Sequence, residues 1–231
     1  MISNGRKHLA RGLGIFLAMA FFAASALAGP PLICHAIHIG SAQSLPWSGG
    51  SWNLTGHENY DISHLVPDTL ALLTSSTPVL ARMETLRRAT LYAAGDSKVA
   101  KELILRLRAR TTASESDALA AFDFGYLIEC YRQMGIAARY GMFKTSPSGL
   151  INGVDGYSWV KKAIEMRGGD PQMEFAAALI TSEISQQDRA EHLNKAIAGS
   201  KSDALLAENL ESQFGNQTLA QHLDGSVAKN K

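Results

Sequence analysis

The residues best suited to binding a metal lie together near the start of the chain, within the stretch PPLICHAIHIG. Cys34, His35 and His38 fall within five positions there, and His57 and His64 follow soon after. A thiolate and neutral imidazoles are ligands that zinc and copper accept. The first three side chains, with help from one of the later histidines, therefore predict a zinc or copper site. The alternative is a polar loop with solvated histidines in a chain that holds no cofactor.

The chain has two cysteines, Cys34 and Cys130, which could instead form one disulfide bond. Two cysteines in an exported protein commonly pair in this way. The bond would close a loop of roughly a hundred residues, and the chain-entropy description allows it about 4–5 kcal/mol of stabilisation. The alternative is two free thiols, with Cys130 acting as a small apolar residue on a helix. A disulfide would exclude the Cys34 thiolate as a metal ligand.

Other catalytic chemistry has little support in the sequence. The chain contains no glycine-rich phosphate loop and no G-x-S-x-G motif. Asp123 lies between two phenylalanines, and we expect it to form a structural ion pair with Arg106 or Arg139. An enzyme whose site is assembled from distant residues stays open, for example Asp123 with a histidine and either Tyr126 or Tyr140. No particular reaction is indicated.

The first 28 residues have the three parts of a secretory signal peptide. Basic residues come first, an apolar run occupies positions 13–28, and the run ends in the small-residue signal Ala26-Leu27-Ala28. This pattern predicts cleavage before Gly29 and an exported protein. The alternative is an uncleaved membrane anchor, although the apolar run is shorter than the roughly 18 residues that a spanning helix needs.

The charge of the chain after position 28 argues against nucleic acid as a partner. Residues 29–231 carry 19 Lys and Arg against 21 Asp and Glu, a formal charge of about −2. Nothing in that balance would hold a phosphate backbone. No later apolar run is long enough to cross a bilayer, so we predict no stable membrane span once the signal peptide is removed.

The remaining sequence divides into three parts. Prolines and glycines interrupt every apolar run in residues 29–67, which predicts an extended, irregular segment. Helical periodicity fills residues 68–223 and predicts an all-α domain, and residues 224–231 read as a flexible tail. The helix boundaries are predicted from Thr77-Pro78, Asp96 and Asp170-Pro171 as starts, and from glycines at 95, 135, 169 and 199 as stops. Apart from Asp123, most acidic residues within the helices are predicted to lie on solvated faces; the set is Glu84, Glu102, Glu129, Glu165, Glu174 and Glu183.

The segment DGYSWVKKAIEMRGGDPQMEFAAALIT, residues 155–181, resembles the helix-turn-helix unit of tetratricopeptide-like repeat proteins. It has early tyrosine and tryptophan residues, small alanines, and a GDP turn. The spacing of the four glycines, at 30 to 40 residues, is also typical of helical hairpin repeats. The resemblance implies a stack of antiparallel helical hairpins with a concave surface for a protein or peptide partner. A plain helical bundle is the alternative.

The opening stretch is similar to the mature start of exported bacterial proteins of unknown function. The shared features are Cys34-His35, then Ile39-Gly40, then the run from Ser44 to Trp47, in that order. This resemblance implies a location in the bacterial periplasm or cell envelope and implies no activity. The sequence therefore favours an exported helical scaffold that binds a protein or peptide. An envelope metal-binding protein and an enzyme are the alternatives.

Overall fold

The computed structural model describes residues 29–50, 53–143 and 146–215. The predicted signal peptide (1–28), the end of the predicted helical domain and the predicted tail (224–231) lie outside these residues. The described part is an all-α body with a short N-terminal segment that carries one small hairpin.

The N-terminal segment has little regular structure. It contains one helical turn, α1 (Pro31–Cys34), and two short antiparallel strands, β1 (Trp47–Gly49) and β2 (Thr55–Gly56). Residues 35–46 between α1 and β1 form neither helix nor strand. A 3₁₀ turn at Ile62–His64 leads into the helical body.

Eight longer helices form the described body. They are α2 (Leu65–Leu72), α3 (Val79–Tyr92), α4 (Ser97–Ala113), α5 (Ala118–Arg139), α6 (Gly156–Met166), α7 (Pro171–Ile180), α8 (Gln186–Ser200) and α9 (204–215). Short 3₁₀ turns at Ala93–Gly95, Pro147–Ile151 and Thr181–Glu183 connect some of them. No helix among the described residues is both long and apolar enough to cross a membrane.

Aspartates begin five of these helices, and the one at the start of α9 is Asp203, whose carboxylate accepts from the Leu206 N–H at 3.0 Å. In each case the carboxylate accepts hydrogen bonds from main-chain N–H groups in the first turn, which otherwise have no partner. The predicted starts at Asp96 and Asp170 are confirmed, and Asp117 and Asp155 begin α5 and α6 in the same way.

Several predicted boundaries are wrong. Helix α2 begins at Leu65, three residues before the predicted start of the helical domain, because a proline in the first turn of a helix costs no hydrogen bond. Thr77 is not a helix cap, since its hydroxyl donates to the carbonyl of Leu72. Gly135 and Gly199 lie inside α5 and α8 and do not end them. Gly95 and Gly169 do follow the ends of α3 and α6, so the regular glycine spacing marks helix ends at only two of the four positions.

Helix α5 lies at the centre of the body and contacts α3, α4 and α6. It packs antiparallel to α6, and the two backbones approach closely where Gly125 faces Gly156. A Cβ atom on Gly125 would lie 2.6 Å from the Gly156 carbonyl oxygen and 2.7 Å from Cβ of Trp159. Glycine is needed at this crossing because no side chain fits between the two helices.

Helices α7 and α8 form a second antiparallel hairpin. Glu174 near the start of α7 contacts His192 and Lys195 of α8, and Pro171 at the first position of α7 lies against Gly199 near the end of α8. Helix α6 contacts α7, so that the hairpins α5–α6 and α7–α8 lie side by side.

Helix α3 is buried along nearly its whole length, although it carries four charged residues. Every residue of α3 except Arg88 and Tyr92 is buried. The prediction of a solvated face for Glu84 is therefore wrong, and so are those for Glu129 and Glu174, which are also buried. Because buried charges need partners, the contacts of α3 show where the N-terminal segment is held.

Candidate functional site

The N-terminal residues 31–47, hereafter the strap, lie in a groove between α3, α5 and α9. The apolar side chains of the strap point into the body, and those that are buried are Leu32, Ile33, Cys34, Ile37 and Leu45. The strap main chain faces polar side chains of the groove. The groove therefore combines apolar pockets with hydrogen-bonding groups for an extended chain.

Asn209 of α9 binds the main chain of His38 at both of its polar groups. The side-chain oxygen of Asn209 accepts from the His38 N–H at 2.8 Å, and its Nδ2 donates to the His38 carbonyl at 2.9 Å. Asn209 is fully buried, and Nδ2 also donates to the Leu205 carbonyl of its own helix. A single amide side chain thus satisfies both main-chain polar groups of one strap residue without contacting the side chain of that residue.

Two further amide side chains bind the strap main chain, both on the N-terminal side of His38. The Leu32 N–H donates to Oε1 of Gln133 in α5 at 2.8 Å. Nε2 of Gln213 in α9 donates to the Ala36 carbonyl at 3.3 Å. Such contacts depend on the backbone of the bound segment and hardly on its sequence.

A buried ion pair on α3 completes the floor of the groove. Glu84 and Arg87 are both fully buried, with 2.8 Å between Oε2 and Nε. Glu84 also accepts from the Ile37 N–H at 2.9 Å, and Arg87 donates to the Ile33 carbonyl at 3.0 Å. The charges pair with each other, Glu84 also pairs with Arg88 at 2.7 Å, and both buried groups bind the strap main chain.

The end of the strap is fixed by Arg88 and Tyr92, the two half-buried residues of α3. Arg88 donates to the Leu45 carbonyl at 2.5 Å, and the Tyr92 hydroxyl donates to the Pro46 carbonyl at 2.6 Å. The ring of Trp47 packs edge-on against Tyr92, with 5.4 Å between ring centroids. Trp47 also lies within 6 Å of the guanidinium carbons of both arginines of this part of α3.

Cys34 and Cys130, the two residues of the predicted disulfide, are both buried, and both are free thiols in the structure. Desolvation raises the pKa of each thiol, and the positive charge of Arg87 only partly offsets that rise. Buried thiols of this kind are poor nucleophiles and poor metal ligands at neutral pH.

The three residues of the predicted metal site have separate environments. His35 is half-buried, and desolvation together with Arg87 lowers its pKa. His38 is exposed, and its Nδ1 lies 2.6 Å from a Glu208 carboxylate oxygen. Across the part of the chain that the structure describes, no three His, Cys, Asp or Glu side chains are placed to hold a metal ion.

The later histidines are also engaged locally. His57 Nδ1 accepts from the Asn59 N–H at 3.3 Å, and His64 lies 3.9 Å from a carboxylate oxygen of Asp61. Neither side chain joins Cys34 in a group that could hold a metal ion. These histidines are close in sequence, but their side chains do not form one cluster in the described structure.

Asp123 forms a buried ion pair, as predicted, but with different partners. Its Oδ2 lies 2.6 Å from Arg82 of α3 and 3.4 Å from Arg110 of α4, whereas the predicted partner Arg106 pairs weakly with Glu102. One turn of α4 separates positions 106 and 110, and only position 110 faces Asp123. Burial raises the pKa of Asp123 to about 6, and the two guanidinium groups oppose that rise.

A hydrogen-bonded chain of Glu174, His192 and Tyr157 was not foreseen from the sequence. His192 Nδ1 lies 2.5 Å from Glu174, and its Nε2 lies 2.7 Å from the Tyr157 hydroxyl. Desolvation and nearby carboxylates raise the pKa of Tyr157 to about 12. These two hydrogen bonds link α6, α7 and α8. The three residues are distant in sequence, so no spacing rule could have found them.

An open cleft of about 490 Å³ lies at the starts of α3 and α7. Its charged residues are already paired, Arg167 with Asp170 at 2.9 Å and Asp203 with Gln172 at 2.7 Å. None of Asp123, Tyr126 and Tyr140 lines this cleft. Tyr126 is fully buried and Tyr140 is 80% exposed. The residues suggested for a non-local enzyme site therefore do not meet in this cleft.

The strap groove is therefore the candidate functional site. Comparison of the chain with protein-family models, with curated proteins and with solved structures found no match in any of the three.

Proposed function

We propose that the protein is an exported helical scaffold that binds an extended segment of a protein or peptide in the strap groove. Export, and a location in the bacterial periplasm or cell envelope, are proposed from the signal-peptide pattern of residues 1–28 and from the opening motif. The groove would bind its partner through the contacts that hold the strap here.

The double hydrogen bond between Asn209 and the His38 main chain is the observation that carries this proposal. Main-chain N–H and C=O groups occur in every peptide, so a side chain that binds both is suited to hold any extended segment. Each such bond contributes about 0.5–1.5 kcal/mol net, and the apolar pockets supply the larger part of the affinity.

Because the floor of the groove is polar, the groove can release its occupant without exposing a large hydrophobic surface. Glu84 and Arg87 stay paired with each other when the strap departs, and water can replace the strap at their free positions. A purely apolar floor would become an exposed hydrophobic surface in the same event. The groove is therefore compatible with an open state.

The proposal is tested by cutting the strap from the body without removing it. A protease site inserted between Gly49 and Gly50, in the hairpin, would let the folded chain be nicked there. A fluorescent peptide of residues 29–50 is then added, and its binding to the nicked protein is followed by anisotropy. We expect saturable binding that unlabelled peptide competes away.

The matched variants are Asn209→Leu in the groove and Asn194→Leu on the exposed face of α8. We expect the first to weaken peptide binding at least tenfold and the second to leave it unchanged. Absence of saturable binding to the nicked protein, or equal binding by both variants, would show that the groove does not bind peptides through these contacts.

A further inference from the structure

We infer that a second copy of this chain is a partner for the groove, and that two copies exchange their straps reciprocally. This inference rests on the proposed function, since it names the segment that the groove accepts. In the exchanged dimer each groove holds the strap of the other copy, through the contacts that form within one chain here.

The apolar part of the groove matches the strap at separated positions. Leu32 and Ile33 are adjacent and fully buried, Ile37 is buried further along, and Leu45 is fully buried near the end. A foreign segment would need apolar residues at the same spacing and backbone positions. The strap of a second copy meets that requirement by identity.

Two side-chain contacts add further selectivity. His38 lies 2.6 Å from Glu208 of α9, an exposed contact that favours a cation at this point of the bound segment. Trp47 lies against the guanidinium groups of Arg87 and Arg88, at 5.3 Å and 5.9 Å from its ring centroid. The groove thus recognises features of the strap beyond its main chain.

The connection between the strap and the body can span two copies. Residues 57–64 join β2 to α2 and are exposed except for Tyr60 and Ile62, which are half-buried. Eight extended residues reach roughly 26 Å. Tyr60 and Ile62 pack on the core, and the Tyr60 hydroxyl donates to Asp68 at 2.8 Å, so exchange breaks these contacts but leaves the helices from α2 onward in place.

Mass action sets the balance between the closed and exchanged forms. Within one chain the strap has a high effective concentration at its own groove, so the closed form dominates in dilute solution. Reciprocal exchange keeps every groove contact and repeats it in the dimer. The exchanged form is therefore expected to grow with protein concentration.

Two full-length mature variants with complementary defects test this inference. In the first, Leu32→Asp and Ile33→Asp spoil the strap and leave the groove intact. In the second, Asn209→Leu spoils the groove and leaves the strap intact. We mix the first, labelled with ¹⁵N, with the unlabelled second and record native mass spectra. We expect a one-to-one heterodimer that neither variant forms alone.

A matched control replaces the second variant by Asn194→Leu, whose groove retains its own strap. We expect the heterodimer signal to fall at least fivefold with this partner. Equal heterodimer signals, or only the two monomer masses, would overturn strap exchange. Separate titration of the strap-defective variant with the 29–50 peptide distinguishes the two proposals. Peptide binding without a heterodimer leaves the proposed function standing, and absence of both contradicts both.

A second measurement avoids strap mutations in case the double variant does not fold. Leu205 lies against the strap at Gly40, with 3.7 Å between its side chain and a Cβ position on that glycine. A photo-crosslinking amino acid at position 205 is introduced into ¹⁴N and ¹⁵N protein, and the two are mixed at high concentration. Cross-links between a ¹⁴N strap and a ¹⁵N body are expected. Exclusively single-isotope cross-links would overturn the inference.

Discussion

Asn209 and His38 are 171 residues apart in sequence, yet the amide of the first binds both main-chain polar groups of the second. This contact joins the beginning of the described chain to its last helix. The strap is thus part of the folded body through side-chain contacts to its main chain and is not a disordered leader.

Replacing Asn209 tests how strongly this contact holds the fold. Asn209→Leu removes both hydrogen bonds to the His38 main chain, each of which contributes about 0.5–1.5 kcal/mol net. We expect the free energy of unfolding, measured in urea, to fall by that order. Asn194→Leu on an exposed surface is the control and should change it by less than about 0.5 kcal/mol. Equal unfolding curves for the two variants would contradict the assignment.

The buried pair of Asp123 with Arg82 gives a second test. Asp123→Asn leaves Arg82 buried beside a neutral group, and we expect a loss of about 3–5 kcal/mol in the free energy of unfolding. The exposed pair of Glu102 and Arg106 supplies a contrast, because Glu102→Gln should cost at most about 1 kcal/mol. A similar small cost at both positions would mean that Asp123 is not paired in solution.

The state of the two cysteines is open to direct measurement. Because burial raises the pKa of the Cys34 and Cys130 thiols, we expect almost no alkylation of the folded protein at pH 7. Unfolding in urea without a reductant should then expose two thiols, each adding one alkyl group by mass spectrometry. If the unfolded, unreduced protein takes up no alkyl group, the cysteines are joined by the disulfide that the sequence predicts.

His35 makes strap docking sensitive to pH. Burial and Arg87 lower the pKa of His35 in the docked strap, so the docked form prefers the neutral imidazole. This contribution is fully present above the ordinary histidine pKa of about 6.5 and is lost as the pH falls through the lowered value. We expect the nicked protein to release its strap faster at pH 5 than at pH 7.5.

The control for this pH effect removes the carboxylate that faces His38, the other histidine of the strap. His38 lies 2.6 Å from a carboxylate oxygen of Glu208, so the comparison is made in a Glu208→Gln background. In that background His35→Gln should flatten the pH dependence of strap release. An unchanged pH profile in the His35→Gln variant would assign the effect to another group.

The crossing of α5 and α6 gives a prediction for packing alone. Gly125→Ala places a methyl group 2.6 Å from the Gly156 carbonyl, and we expect a loss of about 1–3 kcal/mol. Gly95→Ala is the matched control, because no atom lies within 4 Å of its Cβ position. Thermal unfolding of the two variants compares them, and a stable Gly125→Ala protein would contradict the close approach.

The sequence predicts the local parts of this fold well. The all-α class is confirmed, and the aspartates that begin α4 and α7 are confirmed because helix capping depends on residues within one turn. The predicted helix end at Gly135 is wrong because α5 packs against several other helices and can retain a glycine inside it, at a cost of about 1 kcal/mol.

The candidate site could be predicted only in fragments. Arg82, Glu84 and Arg87 look like a solvated helix face in the sequence, and their burial depends on Asp123 and on the strap. The cysteine and histidines of the opening stretch predict a metal site, and among the described residues no three such side chains are placed to hold an ion. The main chain of the strap makes most of its hydrogen bonds, and a main chain has no sequence signature.

The rate at which the strap exchanges, compared with the rate at which the body unfolds, tests the central claim most directly. A labelled 29–50 peptide is added to the nicked protein, and its incorporation is timed beside hydrogen exchange of the α5 amides. We predict that the labelled peptide replaces the strap while the α5 amides remain protected. Incorporation only as fast as α5 loses protection would contradict a groove that opens without unfolding.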